Sequence, residues 1–444
     1  MRIAFATLGC KINQYETDLL RQDLVSHGNE VVPFDGEADV YIINTCSVTA
    51  KSDTQCRQLI RSAARRGQGA RVVVTGCYAE TRPGEIKDIP GVDLVIGNID
   101  KASIPDQVMA LAPSPIFRSP SPGGRGWGGG KGTASTSAVS VMTGVPAKAV
   151  QSRTRGFLKI QDGCNNRCSY CIVPLARGRS RSAAFDEVRA EFGRLVQEGC
   201  PEVVLTGIHI GTYGVDLVEG LSLTDMITAL LEQRGRTRIR LSSIEPREIT
   251  DGIIGFLGTG LCRYLHIPLQ SGDDGVLGSM KRDYTSAFYR ELLERIAKEV
   301  PGVALGADVM VGYPGEGDAE FQNTMRLVES APLTHLHVFS YSPRPGTEAA
   351  SMTGQVPETI KKKRSELLRG LGREKNMAFR ERHAGSELRV VVEDKVDAKT
   401  GLLSGLTDNY MRVNIIGAEK GHIGHEIPVR ITEVSEEANL AIIS

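Results

Sequence analysis

At 444 residues the chain exceeds what one ordinary core organises, so several domains are expected. Lys+Arg and Asp+Glu each number 53, which excludes a global basic field and leaves any contact with nucleic acid to local patches. The opening MRIAFATLGCKINQ is too soon interrupted for a signal peptide and no later window approaches a membrane span, so a cytoplasmic protein without a membrane partner is expected.

The first part of the chain alternates β-branched runs with helical patterns: RIAFATL, NQYETDLLRQDLVSHG, ADVYIINT, SDTQCRQLIRSAARRG, ARVVVTG and DLVIGN. Strand and helix in this alternation predict an α/β domain with a parallel sheet over residues 1–111. Residues 112–150 are rich in Pro, Gly and Ser and read as a linker with no core of its own. A second alternating series follows: GFLKIQ, EVVLTGIHIG, RIRLSSIEP, YLHIPLQSG, GVALGADVMVGYPGE and HLHVFSYSPRPGTE. Six strand and helix units fit a complete or partial (β/α) barrel, whose ligands gather at the C-terminal strand ends. With a basic helical segment from Glu358 to His383, this domain is expected over 151–383. The last stretch, 384–444, holds ELRVVVED, GLLSGLTDN, YMRVNIIG, EIPVRITEV and NLAIIS, evenly spaced short strands that predict a small all-β barrel.

Nine cysteines, an odd number, argue for metal or redox chemistry rather than a disulfide framework. In DGCNNRCSYCIVPLARG, Cys164, Cys168 and Cys171 stand in a C-x3-C-x2-C spacing just after the first barrel strand. Structural zinc prefers paired C-x2-4-C motifs and is the weaker reading. A 4Fe-4S cluster takes thiolates too, and three protein ligands leave one iron open to a small molecule. In the first domain Cys10, Cys46 and Cys77 each fall at the end of a predicted strand, so a parallel sheet would bring them to one edge. Cys56, Cys200 and Cys262 read as ordinary thiols.

The cysteine loop, with Tyr170 before its last cysteine, resembles the radical SAM superfamily. There the open iron chelates S-adenosylmethionine, and reductive cleavage gives a 5'-deoxyadenosyl radical. TLGCKINQYETD, NTCSVT, TGCYAE, GCNNRCSYCIVPLARG and LHIPLQSGDDGVLGSMKRDYT together resemble the radical SAM methylthiotransferases over the whole chain except the linker. SVTAKSD, IVPLARG and HIPLQSG are most similar to the MtaB branch, which modifies N6-threonylcarbamoyladenosine beside the anticodon of a transfer RNA. The resemblance implies a flavodoxin-like N-terminal domain, a partial (β/α)6 radical SAM barrel and a C-terminal TRAM barrel. It implies an auxiliary 4Fe-4S cluster on Cys10, Cys46 and Cys77 and a radical SAM cluster on Cys164, Cys168 and Cys171. One S-adenosylmethionine would give a methyl to a sulfur on the auxiliary cluster; another would yield the radical that abstracts hydrogen from C2 of the adenine. Transfer RNA, a small electron-transfer protein or other reductant, and a sulfur donor are the implied partners of an expected monomer. No protein side chain stands out as a catalytic acid or base.

Gly207 and Gly211 let backbone approach a ligand, or are ordinary turn glycines. Ser243, Glu245, Gln270, Ser271 and Asp308 sit at strand ends where the family holds its cosubstrate, though satisfied buried polar groups would look the same. Arg177 follows the cluster loop closely enough to meet a carboxylate or phosphate; an exposed basic turn is the alternative. For RNA, Arg57, Arg61 and Arg65 share a helix face, alone more often a solvated face. From Lys361 to Arg382 nine Lys/Arg oppose three Glu, and Lys361, Lys362, Lys363 and Arg364 open that run. Tyr410 and Arg412 are the contacts expected on the TRAM barrel. Two rivals remain: the same chemistry on N6-isopentenyladenosine or a ribosomal-protein aspartate, and a non-catalytic iron–sulfur RNA-binding or sulfur-carrier protein.

Overall fold

In the computed structural model, which describes residues 1–66, 69–111, 154–218 and 220–444, two stretches of alternating strands and helices precede a closed five-stranded barrel. The segment read as a linker, 112–150, lies outside the described residues. Of the described residues, 1–47 and 51–111 form one unit, and 48–50 with 154–444 form the other.

The first unit pairs β1 (Arg2–Thr7), β2 (Glu30–Val32), β3 (Val40–Thr45), β4 (Arg71–Gly76) and β5 (Leu94–Ile96) in the order β2-β1-β3-β4-β5. Every pair is parallel, and this order is the flavodoxin-like one. Its helices are α1 (Lys11–Ser26), α2 (Ala50–Arg66), α3 (Cys77–Thr81), α4 (Pro83–Lys87) and α5 (Ile104–Ala110). Alternate residues of the central strands feed opposite faces, as the pleat requires. Tyr41, Ile43, Val72 and Val74 pack with Cys56, Ile60 and Ala63 of α2, while Val40, Ile42 and Val73 pack with Leu20 and Leu24 of α1 and Ile104 and Val108 of α5. Edge strand β2 was not legible in the sequence, because three residues are too few for alternation to show.

The second unit begins with β6 (Gly156–Lys159) and a two-residue antiparallel ribbon, β7 (Gln161–Asp162) with β8 (Arg181–Ser182). Then come β9 (Glu202–Thr206), β10 (Arg238–Leu241), β11 (Tyr264–His266), β12 (Ala304–Val311) and β13 (His335–Ser340), separated by helices. β6, β9 and β10 form one parallel half and β11, β12 and β13 the other, joined by bridges Ile239↔Leu261 and Ser243↔His266. Among the described residues no ladder joins β6 to β13, so the barrel is partial. The strands are the six expected.

Helix Glu358–Glu381 buries Lys361, Arg364, Ser365, Leu368, Gly372 and Phe379. Gly372 permits the approach to β13: a Cβ there would come 3.1 Å from Leu336 Cβ. Beyond it, β14 (Glu387–Val396), β15 (Leu403–Thr407), β16 (Arg412–Ile416), β17 (Glu426–Val434) and β18 (Asn439–Ile443) close into a barrel in the order β14-β15-β16-β18-β17. Val390, Val392, Leu403, Val413, Ile415, Val429 and Ile431 fill it from alternate positions. Among the described residues, no helix is long and apolar enough to cross a membrane.

The two barrels are tied at the N-terminal ends of β9 and β10. Glu202 is fully buried and receives Arg238 Nε at 2.7 Å and Arg240 Nε at 2.9 Å. The same guanidinium groups donate to the carbonyls of Leu406 at 2.7 Å and Thr407 at 3.0 Å on β15. Burial alone would raise the Glu202 carboxyl, but Arg240 and Arg238 hold it well below the usual carboxylate range. Removing the carboxylate strips the buried Arg240 of its partner and leaves Arg238 only Glu426, so Glu202→Ala is expected to destabilise the protein by about 3–5 kcal/mol. Because the folded pKa is depressed, this contribution is present above the usual glutamate range and lost as pH falls below about 4. Urea unfolding of wild type and variant at neutral and acid pH tests both statements; equal midpoints at neutral pH would refute the linkage.

Candidate functional site

In the first unit, β1, β3 and β4 are neighbours, and each runs into a cysteine at its C-terminal end. Cys10 precedes α1, Cys46 directly follows β3, and Cys77 opens α3. Backbone packing between these turns leaves no room for side chains. A Cβ on Gly9, at φ +114°, would stand 2.9 Å from Cys46 Cβ, and one on Gly76, at φ +99°, 2.3 Å from the Thr45 carbonyl oxygen. Asn13 Nδ2 joins two of the turns by donating to the Leu8 carbonyl at 2.7 Å and the Thr45 carbonyl at 3.0 Å. Asn98 Nδ2 lies 3.6 Å from Cys77 Sγ. The result is three cysteines at one sheet edge, and thiolate sulfur is the soft ligand type that iron–sulfur clusters take. Cys56 lies beneath them: fully buried, its thiol donates to the Cys46 carbonyl at 3.4 Å, and burial pushes it up to about 12.

In the second unit, the β7-β8 ribbon closes the base of the loop that carries Cys164, Cys168 and Cys171. Gln161 organises this loop from below. Its Nε2 donates to the Asp162 and Gly163 carbonyls at 3.0 and 2.8 Å and to Ser180 Oγ at 2.9 Å, while its Oε1 accepts from His209 N–H at 2.8 Å. Gly163 is obligatory, since a Cβ would come 2.0 Å from the Arg179 carbonyl oxygen.

Two cations stand behind the thiols. His209 Nδ1 is 3.5 Å from Cys164 Sγ, and its Nε2 is 2.5 Å from Glu248 Oε1. Burial would lower this imidazole, yet Cys164 and Glu248 together push it up to about 10. Arg282 lies 3.5 Å from Cys168 Sγ, contacts the Glu245 carboxylate and sits over the Tyr284 ring. The Cys171 sulfur is met by the Val173 backbone N–H instead, and burial pushes its thiol up to about 12. Sulfurs backed by cations suit ligands that carry net negative charge, so the donor set fits an iron–sulfur cluster.

Comparison with known proteins follows the same division. Residues 2–97 match a family described as uncharacterized protein family UPF0004, 158–328 the radical SAM superfamily and 381–440 the TRAM domain. A threonylcarbamoyladenosine tRNA methylthiotransferase MtaB from Bacillus subtilis is 38% identical over 98% of this chain and 95% of its own length. Its namesake from Thermotoga maritima is 35% identical, again over 98% of this chain and 95% of the relative. The chain belongs to the radical SAM methylthiotransferases. A tRNA-2-methylthio-N(6)-dimethylallyladenosine synthase from Alkalilimnicola ehrlichii, of the same family, is 34% identical over 97% of this chain and 95% of its own. Among solved structures, the radical S-adenosylmethionine methyltransferase TsrM from Kitasatospora setae superposes with a TM-score of 0.56 at 16% identity, covering 79% of this chain and 74% of that one, a likeness of fold alone.

The methylthiotransferase departs from the sequence expectations at several residues. Arg177 is buried and pairs with Asp162 at 3.1 Å; the carboxylate it meets belongs to the protein, and it braces the cysteine loop from beneath. Ser271 is fully buried, accepts from Asp273 N–H at 3.2 Å and lies 3.3 Å from Thr324 Oγ1, which makes it a packing residue. Gly207 faces Ile210 and Gln161, and Gly211 faces Glu248, whose Oε2 a Cβ would meet at 1.8 Å, so both glycines make room for protein groups. Ser243 is exposed, Glu245 is engaged by Arg282, and Asp308 lies between two histidines. Gln270 differs from these. It adopts a left-handed φ of +65° at the end of β11's extension, and its buried Oε1 has no hydrogen-bond partner, an acceptor left for a ligand's donor.

Of the expected RNA contacts, Lys361 and Arg364 are buried. Lys361 Nζ donates to the Tyr341 carbonyl at 3.1 Å, and Arg364 pairs with Glu316 at 2.7 Å, because the helical period turns both to the barrel. Lys362, Lys363, Arg61 and Arg65 are exposed, whereas Arg57 is half-buried against Tyr78 at 2.9 Å. Tyr410 stacks on Tyr264 at 4.0 Å, and Arg412 pairs with Glu393 at 2.5 Å. His209, Glu248 and Arg282 were missed, since no motif spacing links them to the cysteines they serve. The turn geometry yields one test: Gly76→Ala is expected to cost about 1–3 kcal/mol through strain beside Cys46 and Cys77. Chemical denaturation of the apoprotein measures it, and an unchanged midpoint would contradict the packing described.

Proposed function

We propose that this methylthiotransferase adds a methylthio group to C2 of N6-threonylcarbamoyladenosine next to the anticodon of transfer RNA, using two 4Fe-4S clusters and two S-adenosylmethionines. The observation that carries the reading is identity of 35–38%, across nearly the full chain, to relatives named for that substrate. Supporting it, the described residues contain two separate three-cysteine sets at C-terminal strand ends, one in each unit. When bound, the clusters supply the electron for radical formation and the site of sulfur attachment.

The chain's own residues have the following parts in this reading. Cys164, Cys168 and Cys171 hold the radical SAM cluster, and Cys10, Cys46 and Cys77 the auxiliary one. His209 and Arg282 donate to Cys164 and Cys168 and stabilise them as thiolates. Gln270 offers its orphaned Oε1 to an amino or hydroxyl donor of the cosubstrate. Exposed Arg61, Arg65, Lys362 and Lys363 serve the phosphate backbone, so binding of transfer RNA weakens steeply with salt. The functional divisions are 1–111, 112–150, 151–383 and 384–444, in a cytoplasmic monomer supplied by an external reductant and sulfur donor.

Nucleoside mass spectrometry of transfer RNA from cells with and without the gene tests the substrate. Loss of the methylthio form of threonylcarbamoyladenosine with accumulation of its parent is expected; loss of the isopentenyladenosine derivative instead would move the chain to the other branch. In vitro, Cys171→Ala is expected to abolish 5'-deoxyadenosine formation while retaining the auxiliary cluster. Changing Cys10, Cys46 and Cys77 to Ala is expected to remove about half the iron, the share of one of two equal clusters. Full iron in that triple variant would reduce the protein to a single cluster, and absence of 5'-deoxyadenosine from wild type under strong reductant would favour a non-catalytic carrier.

A further inference from the structure

Three neighbouring barrel strands place His266, Asp308 and His337 together. Asp308 of β12 is the direct register partner of His337 on β13, and His266 of β11 stands opposite Gly306, two residues earlier on β12. His266 Nε2 lies 3.1 Å and His337 Nδ1 3.4 Å from the same Asp308 oxygen. One ligand atom from each residue lies within 4.8 Å of the other two. Donors that share an ion at about 2.0–2.1 Å stand about 2.9–3.4 Å apart between octahedral and tetrahedral angles, and two of these separations fall in that range.

The surroundings support ligation as well as proximity. Gly306 leaves space for the imidazole, since a Cβ there would come 2.7 Å from His266 Nδ1 and 3.0 Å from the Tyr264 hydroxyl. That hydroxyl is 3.1 Å from His266 Nδ1. If Nδ1–H donates to the phenol oxygen, Nε2 keeps its lone pair directed at Asp308, the outer arrangement that orients metal-bound histidines. Access comes through His337, whose side chain is 65% exposed. It lines a groove of about 1240 Å³ together with His335, Tyr410 and Arg412.

We propose that His266, Asp308 and His337 form a mononuclear site for a divalent transition ion of the zinc type, with remaining coordination positions open to an oxygen donor from the groove. The set is all nitrogen and oxygen, which separates it chemically from the sulfur donors of the cysteine loops. The inference goes beyond the methylthiotransferase reading and stands without it.

The test uses full-length, cluster-loaded protein, equilibrated anaerobically with Zn²⁺ and desalted. Zinc and iron per chain are measured by mass spectrometry, and zinc K-edge X-ray absorption reports the ligands. One zinc per chain is expected, in a nitrogen and oxygen shell with imidazole scattering and with iron content unchanged. His337→Gln is chosen first, because that side chain is largely exposed and its loss leaves the packed strands intact. It is expected to weaken zinc binding by about 100-fold, and Tyr264→Phe, which removes only the outer hydrogen bond, by about 10-fold. Failure of wild type to retain zinc, a shell containing sulfur, or retention unchanged in His337→Gln would each overturn the site.

Discussion

A parallel strand must leave its sheet at the same edge as its neighbours, and this constraint organises both units. Residues far apart in sequence meet because each follows a strand of the same sheet. Cys10, Cys46 and Cys77 are gathered this way by β1, β3 and β4 without any local motif. In the barrel the cysteines arrive together on one loop, and it is their supporting groups that the strand ends collect: His209 after β9, Glu245 and Glu248 after β10, Gln270 after β11. The same geometry therefore delivers cysteines in one unit and the groups that face cysteines in the other.

Close approach at such an edge demands small residues and compensated charge. Gly9, Gly76 and Gly163 each stand where a Cβ would strike a neighbouring turn, so the sulfurs sit on backbone that has little freedom to relax. Around Cys164 and Cys168 the compensation is electrostatic. His209 and Arg282 each face a sulfur on one side and a carboxylate on the other, which keeps two buried cations from being left uncompensated whatever the charge on the sulfur. Arg177 with Asp162 applies the same logic one layer below, and Gln161 ties the loop to the turn after β9 that carries His209.

Much of this was legible in the sequence because it is periodic or spaced. All six barrel strands, all five strands of the C-terminal barrel and the placement of six cysteines after strands follow from alternation, turn residues and C-x3-C-x2-C. What was not legible depends on which way a side chain turns. Lys361 and Arg364 carry the same charge as Lys362 and Lys363, yet the first two lie on the helix's buried face and the others do not. Ser271 and Gln270 are adjacent at one strand end, but the first is fully satisfied inside the protein and only the second keeps an unpartnered acceptor. His209 and Arg282 are distant in sequence from the thiols they face, and nothing in their spacing marks them.

The two ends of the barrel strands divide the physical tasks between them. β9 begins with Glu202, and β10 begins with Arg238 and reaches Arg240 two residues on; these groups satisfy one another and the carbonyls of β15, so their charges are spent on holding the two barrels together. The opposite ends of the same strands lead to His209, Glu245 and Glu248, where charges are turned toward sulfur. Gln270 keeps its acceptor open on that side as well. Complete pairing at one end permits incomplete pairing at the other, because the fold does not depend on the groups that must remain available to a ligand. A barrel tied at that end can leave Gln270 Oε1 without a partner at the other, where the surrounding cations and carboxylates compensate one another and this acceptor stays available to a ligand.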